Sequence, residues 1–400
     1  MERGTSRNGR RVPRTPPVTV PRVMIEGGPL TATPTGVPRY LASIFRELAS
    51  IDTSTRYEMV VIASLKRRFR PPFRPPSTLW RYRTIRVPNA WVSRLDDTAL
   101  SFPWQVFTPR YDACILTYNT LRPPKRTRNL RFLYDLSYAL HPETFGPGVT
   151  SRWFRSVIDG LERTERVVTL SHATKREIVD HLGFPAERVA IAPPAVDRNL
   201  YRPATEQERG ILRERYDLPD RYVLHVGTLE ARKNLLRLIN AFSRLSSQLR
   251  KDVDLVLAGV PGWEFEPIEA AVAAARANGA RVHLLGFVDD ETQVALFRCA
   301  DAVAYPSLYE GFGMPVLEGL ACGVPVVTSN VSSMPEVGAG SSVLVDPRSV
   351  DSIRDAIEAV LTDLPLVDQL SRAGPLRAAQ FSWRESAQVV NDQIAALLER

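Results

Sequence analysis

The stretch Tyr305-Pro306-Ser307-Leu308-Tyr309-Glu310-Gly311-Phe312-Gly313-Met314-Pro315-Val316-Leu317-Glu318 concentrates the residue types that do chemistry. An apolar run ends at Tyr305, a loop with two glycines follows, and Pro315 suits the first turn of a helix because it has no N–H to leave unpaired. A helix start aimed out of a sheet carries about half a positive charge and free N–H groups, which suits a diphosphate. Gly311 and Gly313 let a ligand approach the backbone closely. Glu310 falls in the loop, and Glu318 about one turn inside the helix. Carboxylates beside phosphates repel them unless they bind something else. Ionised carboxylates only accept hydrogen bonds, so sugar and ribose hydroxyls are fitting partners. Alternatively, Glu318 simply charges the helix start, a contribution under about 1 kcal/mol.

A second constellation is His225-Val226-Gly227-Thr228-Leu229-Glu230-Ala231-Arg232-Lys233-Asn234. It also reads as strand, glycine turn and helix start. Arg232 and Lys233 fall where the helix dipole is positive, which costs stability unless an anion binds there. A third, weaker one is Pro34-Thr35-Gly36-Val37-Pro38-Arg39-Tyr40, in which Gly36 opens a helix after the first strand.

These three segments need a sheet whose strand ends converge. The sequence alternates short β-branched runs with longer amphipathic stretches, the signature of an α/β chain with parallel sheets and crossover helices. Strands are expected over residues 18–26, 58–63, 112–117, 130–135 and 166–170, then 222–226, 254–258, 282–285, 302–305 and 324–328. Helices are expected over 37–49, 148–162, 173–182, 235–247, 267–277, 291–299, 315–321 and 350–362. Prolines at 193, 194 and 203 interrupt the pattern and mark a hinge. The reading is two doubly wound Rossmann-like domains facing a cleft. They cover residues 18–198 and 199–381, after a disordered basic tail over 1–17. An amphipathic helix over 382–400 has no strand after it and is expected to pack back on the first domain. A ligand at the cleft is the default expectation.

The chain has 400 residues, 44% apolar and 24% charged, enough for two ordinary domains. Cys114, Cys299 and Cys322 are widely spaced and odd in number, which argues against a disulfide framework or zinc knuckle and suits a reducing cytosol. No run of about 18 apolar residues appears, so no spanning helix is expected. The N-terminal stretch lacks the apolar segment of a secretory signal.

Charge is uneven. Residues 1–200 hold 32 Lys+Arg against 17 Asp+Glu, and residues 201–400 hold 20 against 27. Lys66, Arg67, Arg68, Arg70 and Arg74 alternate with Phe69, Phe73 and prolines. Trp80, Arg81, Tyr82 and Arg83 follow, and Lys125, Arg126, Arg128 and Arg131 form another group. Such a half suits an anionic membrane surface or an anionic lipid-linked acceptor. A merely solvated Arg-rich surface gives the same pattern. No nucleic-acid motif is present, so nucleic acid is not expected as a partner.

Together these segments resemble glycosyltransferase family 4, whose members have the GT-B fold. The resemblance is strongest over residues 222–383. It rests on Glu310 and Glu318 with the Gly-Phe-Gly loop between them, and on Ala321-Cys322-Gly323-Val324-Pro325-Val326-Val327. Pro335-Glu336-Val337, Val345-Asp346-Pro347 and Phe381-Ser382-Trp383 add to it. The resemblance implies retaining transfer of a hexose from a nucleotide sugar, with no cofactor and no essential metal. Its mannosyltransferase-like group favours GDP-mannose as donor and a saccharide or lipid-linked acceptor in polysaccharide or glycoconjugate synthesis. The place of work it implies is the cytoplasm, peripherally at the inner membrane face.

By the same resemblance Arg232 and Lys233 neutralise the diphosphate, Glu318 holds the ribose, and Glu310 holds the donor sugar. Gly311, Phe312 and Gly313 line the sugar with backbone amides, and Met314, Val316, Leu317, Gly227 and Thr228 complete the donor pocket. Gly36 faces it from the other domain, and Asp135 there is expected to be catalytic together with Arg232, Lys233 and Glu310. Fixed cations at a departing phosphate lower the barrier. The sequence departs from the family twice. Tyr134-Asp135 stands where many relatives carry His-Asp, leaving Tyr134 or the nearby His141 as donor-sugar contacts. Thr228 stands where many carry an arginine after the glycine. The first departure motivates a rival reading, a catalytically weak nucleotide-sugar-binding or scaffold subunit. Phosphorylase chemistry is a further rival, but nothing marks a lysine-bound pyridoxal phosphate.

Overall fold

The computed structural model describes residues 20–31, 36–64, 71, 73, 77–87, 110–117, 127–145, 157–158 and 160–399. Two parallel sheets organise them. The first contains β1 (Arg22–Glu26), β2 (Arg56–Ser64), β3 (Trp80–Val87), β4 (Ala113–Leu116), β5 (Arg128–Phe132), β6 (Arg166–Thr169) and β7 (Val189–Ile191), in the order 3-2-1-4-5-6-7. The second contains β8 (Tyr222–Val226), β9 (Asp254–Ala258), β10 (Val282–Gly286), β11 (Ala302–Tyr305), β12 (Val326–Ser329) and β13 (Val343–Val345), in the order 10-9-8-11-12-13. Central strands such as β4, β8, β9 and β11 are buried along their whole length, as strands covered on both faces by helices must be. The order reverses between β1 and β4 in one sheet and between β8 and β11 in the other. Those are the switch points where doubly wound sheets open a crevice.

The structure differs from the sequence expectation in several places. The helix expected over 235–247 is two helices, Leu235–Ser243 and Ser247–Asp252. The Ser246 hydroxyl starts the second by accepting the Leu249 N–H at 3.3 Å. The group Trp80, Arg81, Tyr82 and Arg83 forms an edge strand. Trp80 is buried and stacks on Tyr57 at 4.4 Å, while Arg81 and Arg83 face out, and Arg83 pairs with Glu58. Charged outward side chains protect an exposed edge from pairing with another chain. Arg131 leaves the proposed basic surface. It is fully buried beneath Gly160. Residues 1–17, Lys66–Arg70, Arg74, Lys125 and Arg126 lie outside the described residues, as does most of the helix expected over 148–162.

After β13, helices Val350–Thr362 and Leu364–Ala378 close the second sheet, and the chain then returns to the first. The C-terminal helix Trp383–Leu398 lies along the helix Gly36–Ile51. Trp383 meets Tyr40 at 5.9 Å between ring centres, and Ser386 donates to the Pro193 carbonyl at 2.6 Å. Arg166 reaches Gln393 at 2.8 Å. Among the described residues no helix is long and apolar enough to cross a membrane.

Candidate functional site

The two glycine-bearing loops sit side by side at the switch point of the second sheet. Gly227 follows β8, and residues 306–313 follow β11. Gly227 has φ 153°, a conformation that favours glycine. Beyond it a single turn of 3-10 helix, Ala231–Lys233, ends at Asn234 in the left-handed conformation (φ 61°) before the helix Leu235–Ser243. The Asn234 amide donates to the Pro306 and Pro347 carbonyls at 2.9 and 2.6 Å, which locks the two loops together.

Arg232 and Lys233 do not stand at an exposed helix start awaiting an anion. Lys233 is buried, and its Nζ donates to Glu310 Oε1 at 2.6 Å and to the Tyr305 hydroxyl at 2.9 Å. Arg232 donates to Glu310 Oε2 at 3.0 Å, to Glu230 at 2.7 Å and to the Tyr309 carbonyl at 2.9 Å. The anion that balances the two cations here is Glu310, the residue expected to hold the sugar. Burial alone raises the Glu310 carboxyl, but Arg232 and then Lys233 overcome it and hold it at about 2. Two cations and the carboxylates of Glu230 and Glu310 leave this cluster formally neutral.

The loop is fastened on both sides. Ser332 and Ser333 donate to the Glu310 carbonyl at 2.7 and 2.8 Å. From the first domain, Ser171 and Thr174 donate to the Gly311 carbonyl at 2.8 and 3.3 Å. A Cβ on Gly311 would collide with the Tyr134 carbonyl and approach Asp135 Cβ to 2.9 Å, so only glycine lets the segments meet. The Tyr309 hydroxyl spans the same junction. It accepts the Leu136 N–H at 3.0 Å and donates to Glu177 at 2.5 Å. Asp135 therefore faces this cluster, with its Oδ1 accepting from the Ser137 N–H and hydroxyl at 2.9 and 2.6 Å. His141 lies beside it, its ring 5.2 Å from that of Tyr309 and its Nδ1 3.1 Å from Glu143.

Tyr134 is placed differently. Its hydroxyl donates to the Thr117 carbonyl at 2.8 Å inside the first domain, and its ring stacks on Phe132 at 6.3 Å. That hydroxyl is committed away from the loop, so only the Tyr134 backbone meets it. Phe312, Val316 and Leu317 also point their side chains into the core, Phe312 against Phe381 at 5.5 Å. Any contact they make with a ligand is through the backbone. Gly313 (φ 102°) caps the helix Met314–Ala321, with Met314 half-buried beside it. Thr228 is half-buried on the rim. Gly36 opens its helix in free space, with nothing within 4 Å of the point a Cβ would occupy.

Glu318 lies one turn into the helix in a setting unlike that of Glu310. Gln293 donates to both its oxygens at 3.2 and 3.3 Å and to the Tyr201 hydroxyl at 3.0 Å. Burial pushes this carboxyl up to about 7, against the pull of Arg39. Arg39, from the first domain, forms an ion pair with Asp290 of the second, over the same region. Tyr201, Gln293 and Glu177 were not singled out in the sequence. They carry no local motif, and only the tertiary structure brings them to the loop. Among the described residues no three His, Cys, Asp or Glu side chains cluster as metal ligands do.

Comparison with known proteins agrees on the family. Residues 34–200 match the model of Glycosyltransferase Family 4, and residues 209–377 match that of Glycosyl transferases group 1. The chain is 33% identical over 276 residues to O-antigen chain mannosyltransferase B of Escherichia coli, covering 68% of this chain and 72% of that one. It is 29% identical to the serotype-specific mannosyltransferase WbdA of the same organism, over 66% of this chain but only 33% of that longer protein. Among solved structures, sucrose-phosphate synthase from Thermosynechococcus elongatus superposes with a TM-score of 0.74 at 21% identity, covering 95% and 100% of the two chains.

Proposed function

The chain belongs to glycosyltransferase family 4, and from that premise we propose that it moves mannose from GDP-mannose to a saccharide or lipid-linked acceptor in polysaccharide synthesis. The transfer retains the anomeric configuration and needs no metal. The observation that carries the reading is the loop carboxylate Glu310 pinned between the buried Lys233 and the half-buried Arg232, with the adjacent Gly311 packed against Tyr134 and Asp135 of the opposite domain. In this reading a donor diphosphate docks over Gly227. Arg232 and Lys233 then stabilise the charge that collects on the phosphate as the glycosyl bond breaks. Glu310 orients those cations and reaches the sugar, and Glu318 accepts the ribose hydroxyls. Gly36, Thr228, Met314 and the backbone of Gly311–Gly313 enclose the donor. The mannose assignment is supported by the mannosyltransferases of Escherichia coli described above. Work at the cytoplasmic membrane face belongs to the same proposal, and flotation with anionic liposomes at low salt tests it.

A second reading is favoured by one observation. The Tyr134 hydroxyl, at the position of the family's histidine, is bonded inward to Thr117. That suits a nucleotide-sugar-binding subunit with little turnover. One experiment separates the two. The purified protein is incubated with a panel of nucleotide sugars and mannose-terminated acceptors, with and without chelator. Nucleotide release, donor-stabilised melting and product anomeric configuration are followed. The enzyme reading expects GDP release from GDP-mannose, unchanged by chelator, and a product of unchanged configuration. Stabilisation without release supports the binding subunit, and no stabilisation by any nucleotide sugar removes the donor site.

A further inference from the structure

His225, on β8, is fully buried and has one ring nitrogen without a partner among the described residues. Its Nδ1 lies 3.0 Å from the Ala304 carbonyl, and a carbonyl only accepts, so Nδ1 carries the hydrogen. The bare Nε2 then presents a lone pair, and a buried unpaired acceptor is costly unless something is meant to meet it. The ring is held in place by stacking on Tyr305 at 5.1 Å and 17°. Nε2 borders a notch over Gly227. An atom placed where a Gly227 Cβ would be lies 3.8 Å from Nε2, 3.7 Å from the Tyr305 hydroxyl and 3.8 Å from Lys233 Cε. That point therefore lies among the groups assigned to the donor diphosphate.

The charge there explains why a further cation is useful. Arg232 and Lys233 are balanced by Glu230 and Glu310, and position 228 is Thr. A diphosphate arriving at this neutral cluster meets no surplus positive charge. We propose that His225 is a further leaving-group contact: a donor phosphate oxygen docks in the notch over Gly227 against Nε2, which takes up a proton from solvent as the diphosphate binds. This rests on the donor-site reading above. Charged or titratable groups facing the ring are Lys233 from the loop after β8, Tyr305 from β11, and Glu310 from the loop after it, and Glu310 is in turn bonded to Arg232. Residues Leu257 and Ala258 of β9 bring no charge. Without ligand, burial and then the nearby Lys233 keep the ring neutral, at about 4, although the Ala304 carbonyl and Glu310 pull the other way. A phosphate oxygen at Nε2 reverses that balance.

The sign follows from linkage. If bound nucleotide raises the histidine pKa, its contribution to affinity is full below about 4 and is lost as pH rises through the higher bound value. Affinity then weakens by up to about tenfold for each pH unit of rise across that window. The test is calorimetric titration of the full chain with GDP and with UDP from pH 5.5 to 8, in buffers of different ionisation enthalpy. Wild type takes up a proton on binding and binds more tightly at low pH. His225→Gln removes the uptake and flattens the profile, the difference from wild type cancelling the nucleotide's own phosphate titration. An imidazole 1H–15N spectrum of wild type with and without GDP reads the Nε2 proton directly, independently of how the variant folds. Binding with no uptake and no new Nε2 proton overturns the proposal and leaves the donor site standing. Failure of wild type to bind either nucleotide overturns the donor-site reading and His225 with it.

Discussion

Glu310 and Glu318 stand at the two ends of one loop-and-helix segment, both buried, and their surroundings push them in opposite directions. Around Glu310 are Arg232 and Lys233 within 3.0 and 2.6 Å, and its carboxyl is held at about 2. Around Glu318 are the neutral donors Gln293 and Tyr201, with Arg39 acting only from a distance, and its carboxyl rises to about 7. Burial opposes ionisation at both, so the difference lies in whether a cation is in contact. One carboxylate is fixed in charge and serves as scaffold for cations. The other is near the point where it exchanges a proton, and its hydrogen-bonding capacity is open to a ligand.

The comparison is broken most severely by Glu310→Ala, which strands the buried Lys233 and the half-buried Arg232. We expect a loss of about 3 kcal/mol or more in urea unfolding, with activity abolished. Glu318→Gln keeps the shape and removes only a poorly solvated charge. It should raise stability at pH 7, by up to about 2–3 kcal/mol, while weakening donor affinity about tenfold. Equal stability losses in the two variants would show that the environments are not so different.

pH sharpens the contrast. The Glu310 contribution is present above the ordinary carboxylate value and is lost as pH falls towards about 2. Glu318, with its folded value raised, acts oppositely. Its relative stabilisation is full below about 4.5 and is lost as pH rises through about 7, worth on the order of 2–3 kcal/mol. Unfolding free energies measured from pH 4 to 8 should therefore fall more steeply with rising pH in wild type than in Glu318→Gln. The smallest effect is expected from Tyr201→Phe. Removing a hydroxyl that favours the ionised Glu318 raises its titration further and costs about 1 kcal/mol, readable by carboxyl NMR titration.

Much of this arrangement could be read from local pattern. The strands over 222–226, 254–258 and 302–305 follow from apolar runs bounded by turn residues, and the loop-to-helix junction at 305–318 from its glycines and Pro315. What could not be read is what depends on contacts between distant residues. Lys233 and Glu310 are 77 positions apart, and nothing in either neighbourhood says that they pair. Gln293 and Tyr201 reach Glu318 only because the helix Asp290–Cys299 and the segment after β7 converge on it. At Trp80–Arg83 the alternation of a strand was present, but aromatic and basic residues in alternation serve an interface equally well. The buried stacking of Trp80 on Tyr57 fixes the strand, while Arg81 and Arg83 stay exposed on it.

The return of the C-terminal helix to the first domain has a mechanical consequence. The polypeptide crosses between the domains twice, once near Pro193–Tyr201 and once near Trp383, and Ser386 ties the second crossing to the Pro193 carbonyl of the first. A body hung from two adjacent straps can swing about the line joining them but resists twisting around either one. Pro21 and Leu398 border the same small cavity. Tension applied between those points would load the first domain alone, and the second would feel none of it until the C-terminal helix peeled away.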